Sequence, residues 1–461
     1  MFHRSGSLIV LGLLCSVLCA HAITPFKDGE KVVFLGDSIT AGCDFICWTQ
    51  AVYQLRCQGK VRLENAGISG DSAGGGLARL EYDVLDRKPD RVFIMFGMND
   101  LGVPLYAKGG MEMDAKRLKR LENYENNLNR ICDRLKEAGV TAVLITPTPY
   151  NQYGKGNSST YNEAGLAAAA GIIRKIAKER GLEVLDLHAP MTEILKKQPA
   201  ISPMRTDNVH PNVLGHMVMT YYLCKAAGLE GKIAEVRINA AEGKVETANY
   251  AAVRNVKTTT AGNSDPEKKA ASGISFEYTP QRLPFIMDKR NKEIDSLVPF
   301  TADFNTESMQ ITGLAEGNYQ LMVNRSAVGK FSSAELAKGI NLAGLYTPSR
   351  QQALKVYNQI SAIRRCMSLI RSVVDGDRYA LSQKADLKDA ESCCKAADQW
   401  FKTRYADPKK PGRQYYSNVI ENYKKNKRNL PATVKQINGA YEKLYQESHT
   451  VPWLVELRKI R

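Results

Sequence analysis

Val32-Val33-Phe34-Leu35-Gly36-Asp37-Ser38-Ile39-Thr40 joins four large apolar residues to a glycine-anchored turn that carries a serine. An unbroken apolar run with β-branched and aromatic members reads as a strand buried on both faces. When such a strand ends in a turn of this kind, it presents a hydroxyl at the edge of a sheet. Far downstream stands Asp207-Asn208-Val209-His210-Pro211. A His three residues after an Asp supplies a base with its orienter already attached. The two stretches together imply an acyl-transfer hydrolase.

Working outward from the first strand, the patterns of strand and helix alternate from Lys31 to about Gly228. The strands are expected at Lys31–Leu35, Val61–Asn65, Arg91–Phe96, Thr141–Thr146 and Glu183–Leu187. Helical periodicity is clearest at Asp114–Ala138 and Tyr161–Arg180, then after Pro211 toward Ala227. This alternation predicts an α/β sandwich around a parallel sheet, with the active site at the carboxyl ends of the strands.

Near Gly231 the rhythm changes. Lys232–Ala240, Ile274–Tyr278, Val298–Asn305, Met309–Thr312 and Tyr319–Val323 read as short strands between Gly, Pro and Asn turns. Ala261–Ala271 reads as an exposed loop. Beyond Phe331 the chain is helical in character, with a proline-marked connection at Asp407–Gly412. The tyrosines at 415, 416, 423, 441 and 445 fit packing better than ligand contact. The expected division is a signal peptide at 1–22, a hydrolase domain at 23–230, a β-rich region at 231–330 and a helical region at 331–461.

Four blocks carry the chemistry. They are Gly36-Asp37-Ser38, Asn65-Ala66-Gly67-Ile68-Ser69-Gly70-Asp71-Ser72, Gly97-Met98-Asn99-Asp100 and Asp207-Asn208-Val209-His210. The first three directly follow expected strands, which places them at one edge of the sheet. On these blocks the chain resembles the SGNH (GDSL) hydrolase family over about residues 31–227. The family is named for Ser, Gly, Asn and His, which here fall on Ser38, Gly70, Asn99 and His210. The second block is similar to the lysophospholipase/thioesterase branch. The resemblance implies a flavodoxin-like three-layer sandwich with a five-stranded parallel sheet. It also implies an oxyanion hole made by the backbone N–H groups of Ser38 and Gly70 and the side-chain amide of Asn99.

The residues read from chemistry agree with that. Ser38 is the expected nucleophile, His210 its base and Asp207 the acceptor that fixes the imidazole tautomer. A glycine at 70 suits close backbone approach to substrate, with Gly67 a nearby competitor for the role. Asp37 reads as support for the serine loop and Asp100 as structural. Among the remaining histidines of the mature chain, His188 and His216 read as structural and His449 as solvated.

The first 22 residues read as a secretory leader. His3 and Arg4 precede an apolar stretch from Leu8 to Leu18, and Ala20-His21-Ala22 fits a cleavage site. A lipoprotein reading through Cys19 is the weaker alternative, because Leu18 is bulky. No later segment has the roughly 18 apolar residues that a spanning helix needs. A secreted or periplasmic protein is therefore expected.

Eight cysteines remain after the leader. In an oxidising compartment two readings fit equally, a local bridge near the serine turn among Cys43, Cys47 and Cys57, or buried free thiols. Their spacing is not that of a zinc site, and neither metal nor cofactor is expected.

Net charge is +16, but residues 23–230 carry 26 Lys+Arg against 24 Asp+Glu, while residues 231–461 carry 37 against 24. The basic second half would suit an anionic polymer or a well-solvated helical surface. No nucleic-acid partner is expected. The loops beside the blocks, Asp71–Gly76 and Val103–Met113, are small and Gly-rich rather than apolar. The expected substrate is a short-chain, acetyl ester on an extracellular polysaccharide. The alternatives are a lysophospholipase or thioesterase, or a polysaccharide-binding protein that kept a hydrolase scaffold.

Overall fold

The computed structural model describes residues 23–102, 115–153, 163–260, 270–287 and 289–460. The expected leader, the Val103–Met113 loop and most of the 261–271 loop lie outside them. Five parallel strands form the first sheet: β1 (Lys31–Gly36), β2 (Arg62–Gly67), β3 (Arg91–Met95), β4 (Thr141–Ile145) and β5 (Glu183–Leu185). Their order is β2-β1-β3-β4-β5. Val32, Val33, Phe34 and Leu35 are all buried. Successive side chains point to opposite faces, so both faces of the sheet are covered.

Register decides where the chemistry emerges. Gly36 is level with Gly67 on one side and Met95 on the other. The chain therefore leaves three adjacent strands in one row, and the first three blocks surface side by side.

The helices of this part are α1 (Ser38–Ala41), α2 (Asp44–Cys57), α3 (Ala73–Ala78), α4 (Leu80–Asp83), α5 (Met98–Leu101), α6 (Ala115–Glu137), α7 (Ala164–Arg180), α8 (His188–Lys197) and α9 (Val213–Ala226). Helix α2 packs with α9, and α6 with α3 and α7. Helix α3 begins inside the segment expected as a Gly-rich loop. Ser72 caps it by accepting from the Gly75 N–H, and a Cβ at Gly76 would strike the Phe96 ring at 2.5 Å.

Two further sheets follow. One has the order β13-β10-β6-β7 and contains β6 (Ala234–Asn239), β7 (Lys244–Asn249), β10 (Glu307–Thr312) and β13 (Ile340–Asn341). The other has the order β12-β11-β14-β9-β8 and contains β8 (Ala251–Thr260), β9 (Ala271–Pro280), β11 (Asn318–Val323), β12 (Ser326–Ser332) and β14 (Trp453–Ile460). They share a separate apolar core that includes Val236, Phe276, Leu321 and Val455.

Two sequence readings are corrected here. The strand expected over Val298–Asn305 is a short helix, α10 (Phe300–Phe304). Phe300 and Phe304 recur at the helical interval and are both buried, and Asp295 accepts the Thr301 N–H at 2.7 Å. The end of the segment expected to be helical is instead β14, lying between β11 and β9. Trp453, Val455 and Leu457 alternate into the core at the strand period.

The remaining helices are α11 (Ser333–Lys338), α12 (Pro348–Leu381), α13 (Ala390–Arg404) and α14 (Arg413–Glu447). Helices α12 and α14 lie along one another and against the first sheet's layer. Val356, Ile360 and Ile363 of α12 join the main core with Ile437, Tyr441 and Leu444 of α14. The Tyr441 hydroxyl donates to the Leu63 carbonyl of β2 at 2.7 Å. Of the late tyrosines, 423 and 441 are buried, while Tyr415 stands exposed.

Of the two cysteine readings, the structure shows free thiols. Cys43 and Cys47 sulfurs lie 3.4 Å apart, unbonded, with Met367 of α12 at 3.5 Å from Cys43. All eight described cysteines are free, and seven are buried. Among the described residues no helix is long and apolar enough to cross a membrane.

Candidate active site

Helix α1 starts because Asp37 caps it, its carboxylate accepting the Ile39 N–H at 2.9 Å. That cap sets Ser38 in the first turn, directly beyond the end of β1. Burial, with Asp100 and Asp71 nearby, pushes the Asp37 carboxyl up to about 7 despite the Ile39 bond.

Ser38 Oγ lies 2.8 Å from His210 Nε2, and His210 Nδ1 lies 2.7 Å from Asp207 Oδ2. The other Asp207 oxygen accepts the N–H groups of Val209 and His210, each at 2.9 Å. Partial burial opposes ionisation, yet those bonds and the imidazole hold the Asp207 carboxyl below its usual range. Asn208 makes the tight turn possible by adopting φ +60°. Its carbonyl accepts the Asn151 N–H at 2.9 Å, tying the turn to the loop after β4. Asn212 then caps α9, accepting the Gly215 N–H at 3.1 Å.

Asn99 donates from Nδ2 to the Asp71 carbonyl at 2.7 Å. This joins the third block to the residue after Gly70 and leaves a second amide hydrogen for a ligand. Asp100 reinforces the link, accepting from Ala73 N–H at 2.9 Å and Gly97 N–H at 3.1 Å.

The two candidate glycines differ in kind. Gly70 is exposed at φ +78°, and a Cβ placed on it would find nothing within 4 Å, so its requirement is conformational rather than crowding by protein atoms. A Cβ at Gly67 would meet the Ala41 nitrogen at 2.2 Å, so this glycine lets α1 rest on β2.

Ser38, Ile39, Ala41, Gly42, Ser69, Arg205, Asp207, His210, Pro211 and His216 line a cleft of about 420 Å³. His216 is buried there and stacks on Phe45. Burial, together with Arg205, Arg364 and His210, pushes its imidazole down to about 3, so it is neutral at physiological pH. His188 instead contacts Glu163 in the interior, and His449 is exposed. Among the described residues no cluster of His, Cys, Asp and Glu could hold a metal ion.

Sequence reading missed two cations beside the cleft. Arg205 sits in its wall, and Arg364 of α12 reaches Asp44 at 2.7 Å and the Gly42 carbonyl at 3.4 Å. Arg205 stood next to the Asp207 block in the sequence. Nothing local ties Arg364 to Gly42, more than three hundred positions away.

Residues 34–218 match the model of the GDSL-like lipase/acylhydrolase family. An acetylxylan esterase of Geobacillus stearothermophilus is 29% identical over 44% of this chain and 96% of its own. The thioesterase 1/protease 1/lysophospholipase L1 of Escherichia coli strain K12 is 28% identical over 40% of this chain and 76% of its own. A solved structure described as a gut microbial diltiazem-metabolizing enzyme is 27% identical and superposes with a TM-score of 0.83. It covers 96% of this chain and 100% of its own, so the likeness extends through the β-rich and helical parts.

Proposed function

From the premise that the chain belongs, through residues 34–218, to the GDSL-like lipase/acylhydrolase family of carboxylic ester hydrolases, we propose that it removes acetyl groups from carbohydrate outside the cytoplasm. The observation that carries this reading is the hydrogen-bonded series Ser38–His210–Asp207 opening onto a cleft of about 420 Å³ lined in part by Ser69 and Arg205. Ser38 Oγ attacks the acyl carbonyl as His210 Nε2 takes its proton, and Asp207 holds the imidazole in the tautomer that can accept it. The N–H groups of Ser38 and Gly70 and the Asn99 amide receive the developing oxyanion, each worth a few kcal/mol (about 3–4) when preorganised. Collapse of the intermediate expels the alkoxide, which His210 protonates. Water, activated by the same imidazole, then releases acetate and restores Ser38.

Acetyl preference is supported by the described cleft wall, where Ser69, Arg205 and Asp207 stand among the small or short apolar residues Ile39, Ala41 and Pro211, whereas a fatty acyl chain needs a long apolar groove. The named activity of the acetylxylan esterase relative points the same way. Export rests on the leader-like sequence at 1–22. The lysophospholipase and thioesterase relative favours the second reading, a longer acyl chain.

One experiment separates them: hydrolysis of 4-nitrophenyl acetate and decanoate by the full chain and by Ser38→Ala. Wild type should prefer acetate, and the variant should lose at least about 10³-fold in kcat while unfolding at the wild-type temperature. Full activity in the variant removes Ser38 as nucleophile, and a strong preference for decanoate overturns the acetyl reading.

A further inference from the structure

The cleft has a charged mouth that ester cleavage alone does not use. The segment from Met204 to Pro211 folds back on itself through a bridge between those two residues. Within it the Arg205 N–H donates to the His210 carbonyl at 2.7 Å, and the Arg205 carbonyl accepts the Asn208 N–H at 2.9 Å. The Arg205 backbone is thus pinned across from His210, and its exposed side chain forms part of the same wall as Ser38. Among the described residues its guanidinium has neither an ion-pair nor a hydrogen-bond partner.

Arg364 stands over Gly42, another wall residue, and pairs with Asp44. Arg290 and Arg205 also lie within electrostatic reach of Asp44, without a hydrogen bond from Arg205 to it. Among the described residues, the wall itself carries Arg205 and Asp207, and Asp44 and Arg364 stand beside it. Asp44 is paired with Arg364 and Asp207 with His210, so Arg205 is the cation lining the cleft wall that has no hydrogen-bonded counterion among the described residues.

An unpaired guanidinium presents a planar fork that fits a carboxylate through two parallel hydrogen bonds. We propose that the cleft selects acetyl esters whose alcohol part carries a carboxylate, as on an acetylated acidic sugar, with Arg205 as the principal contact and Arg364 as the flanking one. This rests on Ser38 being the nucleophile, and it gives the helical C-terminal part a role in substrate choice, because Arg364 comes from α12.

The test compares 3- and 4-acetoxybenzoate with their methyl esters, using kcat/KM for each divided by its rate of alkaline hydrolysis to remove intrinsic reactivity. The full-length chain should favour the charged member of at least one pair by about tenfold in low salt, and 0.5 M sodium chloride should narrow the ratio. Arg205→Gln should bring the ratio close to one, mainly through KM for the charged ester. Arg205→Lys should restore part of it, and Arg364→Gln should lower it severalfold. Equal use of both members by wild type, or a preference that survives Arg205→Gln, overturns the proposal. Wild-type hydrolysis of the neutral methyl esters reports separately on the esterase reading, and absence of turnover on every ester would overturn that reading first.

Discussion

Glu307 is a carboxyl that sits wholly inside the accessory sheets, far along the chain from Ser38. One of its oxygens accepts the Tyr278 hydroxyl at 2.9 Å, while the other has no partner among the described residues. Burial pushes it from the ordinary 4.5 up to about 7, although Tyr278 and Arg56 oppose the shift. The folded chain therefore holds this proton to higher pH than the unfolded chain does. Stability from the group is complete below about 4.5 and is lost as pH rises through about 7. Glu307→Gln carries no titration, so its stability relative to wild type should improve between pH 5 and pH 8, by up to about 3 kcal/mol. Urea unfolding at the two pH values measures this, and a difference that does not change with pH would count against it.

Single residues also mark the limit of reading from sequence. Ser38, Asp207 and His210 were legible because each sits at a fixed offset from a strand end or a helix start. Asp37 was legible for a similar reason, since a carboxylate one position before a helix has one obvious task. Arg205 was visible in the same stretch as Asp207 but looked like any surface cation, because only the fold places it against Ser38. The reason for Gly70 was also hidden. Sequence suggests crowding near substrate, whereas the backbone shows a left-handed turn.

Among the elements, α12 does the most that its sequence does not announce. Arg364 and Arg371 lie two helical turns apart and so share a face. Arg371 forms a two-pronged pair with the buried Asp83 at 2.7 and 2.5 Å. Asp83 also meets Arg79 and Arg87. Burial works against its ionised form, yet Arg371, Arg87 and Arg79 hold it well below the usual carboxylate range. Arg79 carries the connection to the site, donating to Asp71 at 2.7 Å and to the Gly36 carbonyl at 3.1 Å. One residue separates Gly36 from Ser38, and Asp71 holds Asn99. Arg371→Ala should cost about 3 kcal/mol in unfolding free energy, since removing one partner leaves a buried charge less compensated. It should also lower kcat more than it raises KM for a small acetyl ester. Loss below about 1 kcal/mol with unchanged kcat would show that α12 merely rests beside the site. Strand and helix types near Ser38 were readable from periodicity, whereas this long-range ion cluster was not, because charged residues on a helix look alike whether they face water or a partner.

For the molecule as a whole, the main core is shared between widely separated segments. Val356, Ile360 and Ile363 of α12, with Ile437, Tyr441 and Leu444 of α14, bury apolar surface in the same cluster as the first sheet. Each such side chain contributes roughly 1.5–3 kcal/mol when fully buried. Residues 23–230 expressed alone would expose the face those helices cover. The fragment should therefore bind a hydrophobic dye and self-associate on size exclusion, while the full chain stays compact. A monomeric fragment that unfolds in one sharp transition would refute that expectation. Organisation into an α/β part, a β-rich part and a helical part was readable from the change of rhythm near Gly231. The way the last part folds back over the first was not, since nothing in a local pattern states which distant surface an amphipathic helix will cover.

Placement of β14 carries a consequence in time. Val455 pairs with Val323 on one side and Phe276 on the other, so the final strand fills the gap between β11 and β9. As the chain emerges from the ribosome, those two strands are made long before their shared neighbour exists. Both wait with open backbone edges while α12, α13 and α14 are still being synthesised. The β12-β11-β14-β9-β8 sheet closes only when Trp453–Ile460 arrives, so a nascent chain stalled before that segment would be the species most exposed to strand-to-strand aggregation.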